Sequence, residues 1–423
     1  MWGLLACGLA SAFLYRSLPH LVPVQEKIPE LVTLYLGLFL LYLLSLWLSL
    51  QTPRGLKAKL PLILLFALAF RLLLLPAPPA LSDDVYRYLW EGHLQAEGIN
   101  PYEHSPQSPV LEEYRNPVWA SVNNKEVSAI YPPFAQMVHA LFYLGFGSVS
   151  GFKLAFLGVE IGLVAAILAL LRRSGQPLGR ILVYAWNPLV VIEVAWSGHH
   201  DVLVVGLLLW ALFLLQIRRR VSAMGLLAAA VLSKLYPLVL APAFLRGLPA
   251  RYWGWLAGFL LAMSLPYLGA GSRLLAGLSL YRDQWRFNGF LHSWLTGQGL
   301  SQIWVEGLLG AGLLILLSVC LVRGICRLRQ LYWLTGAVLL FSPTLFPWYL
   351  VWIVPFLCFF PNPAWLLLSG LTVLSYEVLN DWSILGIWRS DPFFLKLQYY
   401  PFWGMLALIG IRSLWRRRLK PAQ

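Results

Sequence analysis

Apolar runs separated by short polar joints set the pattern of this chain. They lie near 2–18, 30–50, 60–80, 150–171, 181–197, 202–217, 221–235, 236–246, 251–267, 303–322, 331–345, 347–360, 364–379 and 400–415. A helix that crosses a bilayer needs about 20 such residues. Several of these runs are shorter, which predicts tilted, interrupted or incompletely spanning helices. Pro61, Pro188, Pro237, Pro242 and Pro355 fall inside apolar runs. The backbone groups such prolines free must find partners inside a bundle or a wet cavity. The pattern predicts an all-α polytopic membrane protein with about 12–14 transmembrane or partly spanning helices.

Composition agrees. Of the 423 residues, 59% are hydrophobic and 12% charged, where soluble domains carry about 25% charged residues. A soluble enzyme, a disordered chain and a nucleic-acid binder are excluded. The net charge of +14 sits in short clusters between the runs, as residues that fix orientation do. The clusters are Arg54/Lys57/Lys59, Arg172/Arg173/Arg180, Arg218/Arg219/Arg220, Arg323/Arg327/Arg329 and Arg416/Arg417/Arg418/Lys420. All are expected on the cytoplasmic side. Cys7, Cys320, Cys326 and Cys358 lie in or beside apolar stretches without metal-ligand spacing. The first run lacks a basic leader and reads as a first span.

One orientation for all five clusters requires that the run 131–147 lie on the outer interface rather than cross. Three parts follow: N-terminal spans over 1–81, a large outer loop with interfacial helices over 82–149, and a bundle over 150–423 with outer loops 268–302 and 380–399. The first outer loop is acidic. Between Ser82 and Ser128 it carries Asp83, Asp84, Glu91, Glu97, Glu103, Glu112, Glu113 and Glu126, opposed by Arg87, Arg115 and Lys125. Loops of this size in a compact bundle carry function more often than mere connection.

That loop opens S-D-D-V-Y-R-Y-L-W-E-G-H-L-Q-A-E-G-I-N-P-Y. Ser82 is the expected N-cap, and the acids that follow suit the positive end of a helix dipole. Helical spacing puts Asp84, Arg87, Tyr88 and Glu91 on one face, and Gly92 or Gly98 ends the helix. A carboxylate, a guanidinium and aromatic rings together suit a polar substrate at the bilayer surface. The plain structural alternative is a capped interfacial helix with an Asp84–Arg87 salt bridge.

An acidic pair after an early span, then R-Y, then a loop ending in Y-P-P resembles the GT-C superfamily of membrane glycosyltransferases. The stretch 82–135 is most similar to bacterial polyprenyl-phosphate-mannose-dependent mannosyltransferases. The resemblance implies a GT-C-like bundle, and transfer of mannose or another hexose from a polyprenyl-phosphate donor to a lipid, glycan or protein hydroxyl. The product would be inverted at the anomeric carbon. It implies Asp84 as the general base, with Asp83 in reserve, and Tyr131 as a sugar contact. It also implies a bacterial inner membrane with the site on the outer face. D-D stands here where a spaced D-x-D pair would suggest metal. The residues fix no cofactor, and a divalent cation, Mg or Mn, is compatible with them.

Other polar residues add to this picture. Lys234, in L-S-K-L-Y-P, lies inside an apolar run, where an ionisable group is a functional candidate. A phosphate contact is expected; snorkelling, or pairing with Glu193, is the alternative. His199, His200 and Asp201 end W-N-P-L-V-V-I-E-V-A-W-S-G-H-H-D and are expected to meet the donor phosphate or acceptor sugar, with a metal site as the lesser reading. Arg282, Arg286 and His292 stand among aromatics in Y-R-D-Q-W-R-F-N-G-F-L-H-S-W, suited to a phosphate or to an interfacial belt. Arg71 is expected to snorkel outward.

Two other readings share these features. A transporter or flippase of lipid-linked sugars would also need many helices and a polar cavity, but would show matched repeats with broken helices. None is evident. A glycan polymerase or ligase using lipid-pyrophosphate donors shares the leaving-group logic.

Overall fold

The structure, a computed structural model, describes residues 1–50 and 56–418. Arg54 and Lys420, members of two basic clusters, lie outside the described residues. The chain opens with α1 (Trp2–Ser17), α2 (Ile28–Leu50) and α3 (Leu56–Leu74). The next segment holds α4 (Asp84–Ala96) and α5 (Pro133–Phe146). Then come α6 (Val149–Arg173), α7 (Leu182–Ala185), α8 (Pro188–Val191), α9 (Asp201–Gln216), α10 (Arg220–Val231) and α11 (Pro237–Leu245). The remainder comprises α12 (Arg251–Ser264), α13 (Ala276–Gln284), α14 (Phe290–Gly297), α15 (Gln302–Val322) and α16 (Arg327–Phe341), then α17 (Val354–Leu357), α18 (Pro363–Leu371), α19 (Val378–Leu385) and α20 (Pro392–Arg418).

Among the described residues, four helical stretches are long and apolar enough to cross a membrane: Ile28–Ser49, Val149–Arg173, Arg251–Gln284 and Gln302–Val322. A fifth arises if the bent pair Leu178–Ala185 and Pro188–Trp196, at 64°, counts as one span. The chain is an all-α polytopic membrane protein. The bend has a local cause. Pro188 offers no N–H, and the Asn187 side chain accepts from the N–H of Leu189 while donating to Ser369 Oγ.

The expected span 347–360 is not one helix. Pro347 and Pro355 divide it into a 3₁₀ turn, Pro347–Trp352, and the short α17. The run 236–246 likewise shortens to the nine residues of α11, which Pro237 opens. These broken pieces are mostly buried, with Leu238 of α11 exposed. By contrast α15 shows Ile303, Trp304, Leu314, Ile315 and Val322 on its outside, the surface a lipid-facing helix presents.

Arg71 does not snorkel. It is buried, its Nε and Nη2 fork onto Glu160 at 2.8 and 2.6 Å, and Nη1 reaches the carbonyls of Ala67 and Ala185. Tyr184 adds its hydroxyl to Glu160 at 3.0 Å. A charge inside the bundle is tolerable only when paired and hydrogen-bonded in this way.

The ends of the helices sort by charge. Arg173, at the end of α6, donates to Gln216 at the end of α9. Arg327, opening α16, donates to the carbonyls of Ala243 and Arg246 at the end of α11, and Arg246 reaches Cys320 near the end of α15. Arg220 and Arg251 share the ring of Tyr252. Basic residues from four of these joints thus meet at one end of the bundle. The sixteen residues of α9 put its first residue, Asp201, about 24 Å away at a rise of about 1.5 Å each.

Candidate functional site

At that far end α4 begins. Ser82 Oγ accepts the N–H of Asp84 at 3.2 Å. Asp83 rather than Ser82 occupies the cap position, and it makes no side-chain cap bond. Both aspartates are engaged elsewhere. Asn123 Nδ2 donates to Asp83 Oδ1 at 2.6 Å and to Asp84 Oδ1 at 3.0 Å. The Tyr131 hydroxyl donates to Asp84 Oδ2 at 3.3 Å. Asp83 is exposed, and the Asp84 side chain keeps 19% of its surface open. Burial and the charge of Asp83 push the Asp84 carboxyl up to about 6, against the opposing pull of Asn123 and Lys234. It is therefore ionised at neutral pH and more basic than an ordinary aspartate.

Arg87 does not pair with Asp84. Its Nε meets Glu91 at 2.8 Å, while Nη1 and Nη2 take the carbonyls of Asn123, Asn124 and Val127. Gln136 donates to Glu91 Oε2 at 2.6 Å. Burial alone would raise the Glu91 carboxyl, but Arg87 and His139 outweigh it and hold it below the usual range. Arg87 and Glu91, expected to face substrate, are both buried and tie α4 to the loop that carries Asn123. The helix ends as one alternative foresaw: Glu97 closes it and Gly98 follows at φ +77°. Gly92 serves packing instead, since a Cβ there would stand 2.5 Å from the His139 carbonyl oxygen.

Tyr88 is buried and stacks against a side-by-side pair of imidazoles, His139 at 4.7 Å and His200 at 4.6 Å between ring centroids, the two imidazoles lying 5.4 Å from each other. His139 Nε2 and His200 Nδ1 lie 3.2 Å apart. Tyr131 meets Tyr88 edge-on at 5.3 Å. The turn after Tyr131 is anchored by its prolines: Pro133 opens α5, and the free N–H groups of Phe134 and Ala135 take the carbonyl of Leu232 at 2.9 and 3.1 Å. This brings Tyr131 beside the Ser233–Lys234 joint between α10 and α11.

Lys234 pairs with Asp201 Oδ1, the first residue of α9, rather than with Glu193. Trp352 Nε1 donates to the same oxygen at 2.5 Å. The ammonium also lies over Tyr349 at 4.4 Å and Trp352 at 5.0 Å, contacts that favour a cation. Tyr349 and Trp352 stack at 4.6 Å, Tyr236 covers Trp352 at 4.1 Å, and the Tyr281 hydroxyl meets that of Tyr349 at 2.6 Å. Asp84, Tyr131, His199, His200, Asp201 and Lys234 thus gather from four separate stretches of chain.

Other expected residues lie apart. Arg282 is exposed and pairs with Asp283. Arg286 reaches Glu306 at 3.4 Å and the carbonyls of Arg282 and Trp285. His292 is buried on α14, where burial and the charge of Arg286 hold its imidazole below the usual range. Among the described residues, none of these three contacts Asp84.

Sequence reasoning passed over Asn123, Tyr281, Trp348, Tyr349 and Trp352. The available signal was F-P-W-Y-L-V-W, a proline turn that interrupts an apolar run and crowds it with aromatics. Among the described residues no group of three or more His, Cys, Asp or Glu side chains is arranged to hold a metal ion.

An all-α membrane bundle with a carboxylate, a lysine and stacked aromatics gathered at one end has the parts of an enzyme acting at a bilayer surface. Residues 4–249 match the family described as alpha-(1->6)-mannopyranosyltransferase, N-terminal domain. The chain belongs to that family. The matched stretch contains Asp83, Asp84, Asn123, Tyr131, His199, Asp201 and Lys234, whereas Tyr281, Tyr349 and Trp352 lie beyond it. The chain is also similar to alpha-(1->6)-mannopyranosyltransferase A of Mycobacterium tuberculosis, 28% identical over 191 residues, which is 43% of this chain and 35% of that protein. The similarity spans about a third of the relative's length. No solved structure matches the chain.

Proposed function

We propose that the protein is a membrane glycosyltransferase that moves a mannosyl or related hexosyl residue from a polyprenyl-phosphate donor to an acceptor hydroxyl on the outer face, in a bacterial inner membrane. The single observation that carries this reading is the Asp84 carboxylate. It is part-open, aligned by Asn123 and Tyr131, raised to about 6, and within the field of Lys234.

The chemistry follows from those groups. Asp84 takes the proton of the acceptor hydroxyl as that oxygen attacks the anomeric carbon. The bond from that carbon to the phosphate oxygen breaks with inversion, and the phosphate leaves with one more negative charge. Lys234 uses one N–H on Asp201 and has two more to offer, which stabilise that charge as it develops. Tyr349, Trp352 and Tyr281 supply faces for a sugar ring or the lipid head. Arg282 and Arg286, in the outer segment 268–302, are available to the donor's headgroup.

Purified protein incubated with synthetic polyprenyl-phosphate mannose, and in parallel with the glucose analogue, is the direct test. Transfer to a lipid, glycan or peptide hydroxyl is expected with one of them, and Asp84→Asn should lower it at least a hundredfold. Full activity in both Asp84→Asn and Asp83→Asn proteins overturns the reading.

A further inference from the structure

Behind Asp84 lies a histidine that has a carboxylate on each side. His199 Nδ1 stands 3.7 Å from Asp84 Oδ2, and His199 Nε2 stands 3.6 Å from Glu193 Oε2. The imidazole and Glu193 are buried. Both ring nitrogens and Glu193 Oε2 have no hydrogen-bond partner among the described residues. Buried polar atoms left this way in a native interior call for an explanation. Here each faces its complement across a gap that a few tenths of an ångström would close.

The local fold aims these groups at one another. A π-type turn, Ile192–Trp196, adds a residue to the helix after α8 and carries Glu193. Such turns recur at functional sites. Gly198 follows at φ +78°, where a Cβ would stand 3.1 Å from Lys153 and 3.2 Å from Val85. The reversal lets the His199 N–H return to the Glu193 carbonyl at 3.0 Å. Trp348 stacks on the imidazole at 4.0 Å and 16°, fixing its plane. The Tyr376 hydroxyl occupies Glu193 Oε1 at 2.5 Å, which leaves Oε2 for the histidine.

We propose that His199 is a positioning residue that orients Asp84 and carries its proton inward to Glu193. The inference rests on the role of Asp84 given above. With its proton on Nε2, the ring turns a lone pair toward Asp84. Once Asp84 has taken the acceptor's proton, that proton passes to Nδ1 while the Nε2 proton passes to ionised Glu193. One O–H and one N–H bond break, one of each forms, and the ring ends neutral in its other tautomer. Asp84 is thereby returned to its basic form. After product leaves, the same two transfers run in reverse and Asp84 releases the proton to water through its open edge, which resets the ring. The other titratable or charged groups around this line are Asp83, Lys234 and Tyr131, which act on Asp84, together with Asp201, Tyr35 and Tyr376, which act on Glu193.

The test uses the full chain with polyprenyl-phosphate mannose as donor. In His199→Gln and Glu193→Gln proteins, kcat should fall ten- to a hundredfold with donor KM within about twofold. The acidic limb of the kcat profile should also shift. Unchanged kcat and pH profile in both proteins, or a rise confined to donor KM, overturns the relay; the latter makes His199 a donor contact instead. Nitrogen-15 NMR of the histidine-labelled wild-type protein does not depend on any variant folding. One ring is expected in the Nε2–H form, with its Nδ1 signal following the titration near pH 6, and the absence of such a ring also overturns the proposal. Full activity of Asp84→Asn would instead sink the underlying assignment, a separable result.

Discussion

Asn123 reaches Asp84 across 39 residues of chain, its Nδ2 resting 3.0 Å from Oδ1. The same nitrogen holds Asp83, so one neutral amide spaces two adjacent carboxylates. Asn123→Ala should therefore lower transfer about tenfold, since it removes an oriented hydrogen bond to a charged group worth about 1.5–3 kcal/mol. Asn123→Asp, which adds a third negative charge, should cost more. Steady-state rates of the two variants compared with wild type check the order.

Asp84 carries a pH prediction of definite sign. Its folded-state value of about 6 lies above the ordinary 3.8, so the carboxylate gains its proton, and the base is lost, as pH falls through about 6. Activity should drop on that side with the slope of a single group. The ionised form is also a cost to folding above pH 6, a cost relieved as pH falls below it. Asp84→Asn should then raise the unfolding midpoint at pH 7.5 by up to a few degrees and have little effect near pH 4. The rise from 3.8 to about 6 sets an upper limit of about 3 kcal/mol, reduced by the exposed part of the side chain. Thermal unfolding in detergent at both pH values is the measurement.

Lys234 and Asp201 form a pair with one nearly closed partner, 13% and 1% exposed. Lys234→Met leaves Asp201 buried with Trp352 as its one remaining side-chain hydrogen-bond partner among the described residues. Loss of about 3–5 kcal/mol is expected for such a broken pair, along with loss of transfer. Adding Asp201→Leu should restore much of the stability and none of the activity. Recovery of transfer in the double variant would show that Lys234 serves folding alone.

Arg71 makes the parallel case without the chemistry. Arg71→Met strands Glu160 with Tyr184, and a destabilisation of about 3–5 kcal/mol should follow. The residual folded protein should keep its KM values.

Gly92 reports on the seam between α4 and α5. Gly92→Ala places a methyl 2.5 Å from the His139 carbonyl and 2.9 Å from Tyr143 Cβ, so about 1–3 kcal/mol should be lost to overpacking. Gly98→Ala meets nothing within 4 Å and should cost less, through its φ of +77° alone. Unfolding midpoints of the two variants separate packing from backbone strain.

Apolar periodicity and charge by themselves determined the membrane class, the acidic loop, the start of α4 near Asp84 and the clustering of arginines at shared joints. These properties repeat along the chain and depend on neighbours a few residues away. What only the tertiary structure decided is partnership. Arg87 chose Glu91 over Asp84, Lys234 chose Asp201 over Glu193, and Arg71 turned inward to Glu160. Each choice depends on residues dozens of positions distant or on a side-chain direction that helical spacing leaves open. The aromatic turn Pro347–Trp352 escaped notice for the same reason: in one dimension it resembles any apolar span, and only packing against α9 brings Trp352 to Asp201. Burial of charge is costly enough that the chain must bring such partners together, but which ones meet is a property of the folded arrangement.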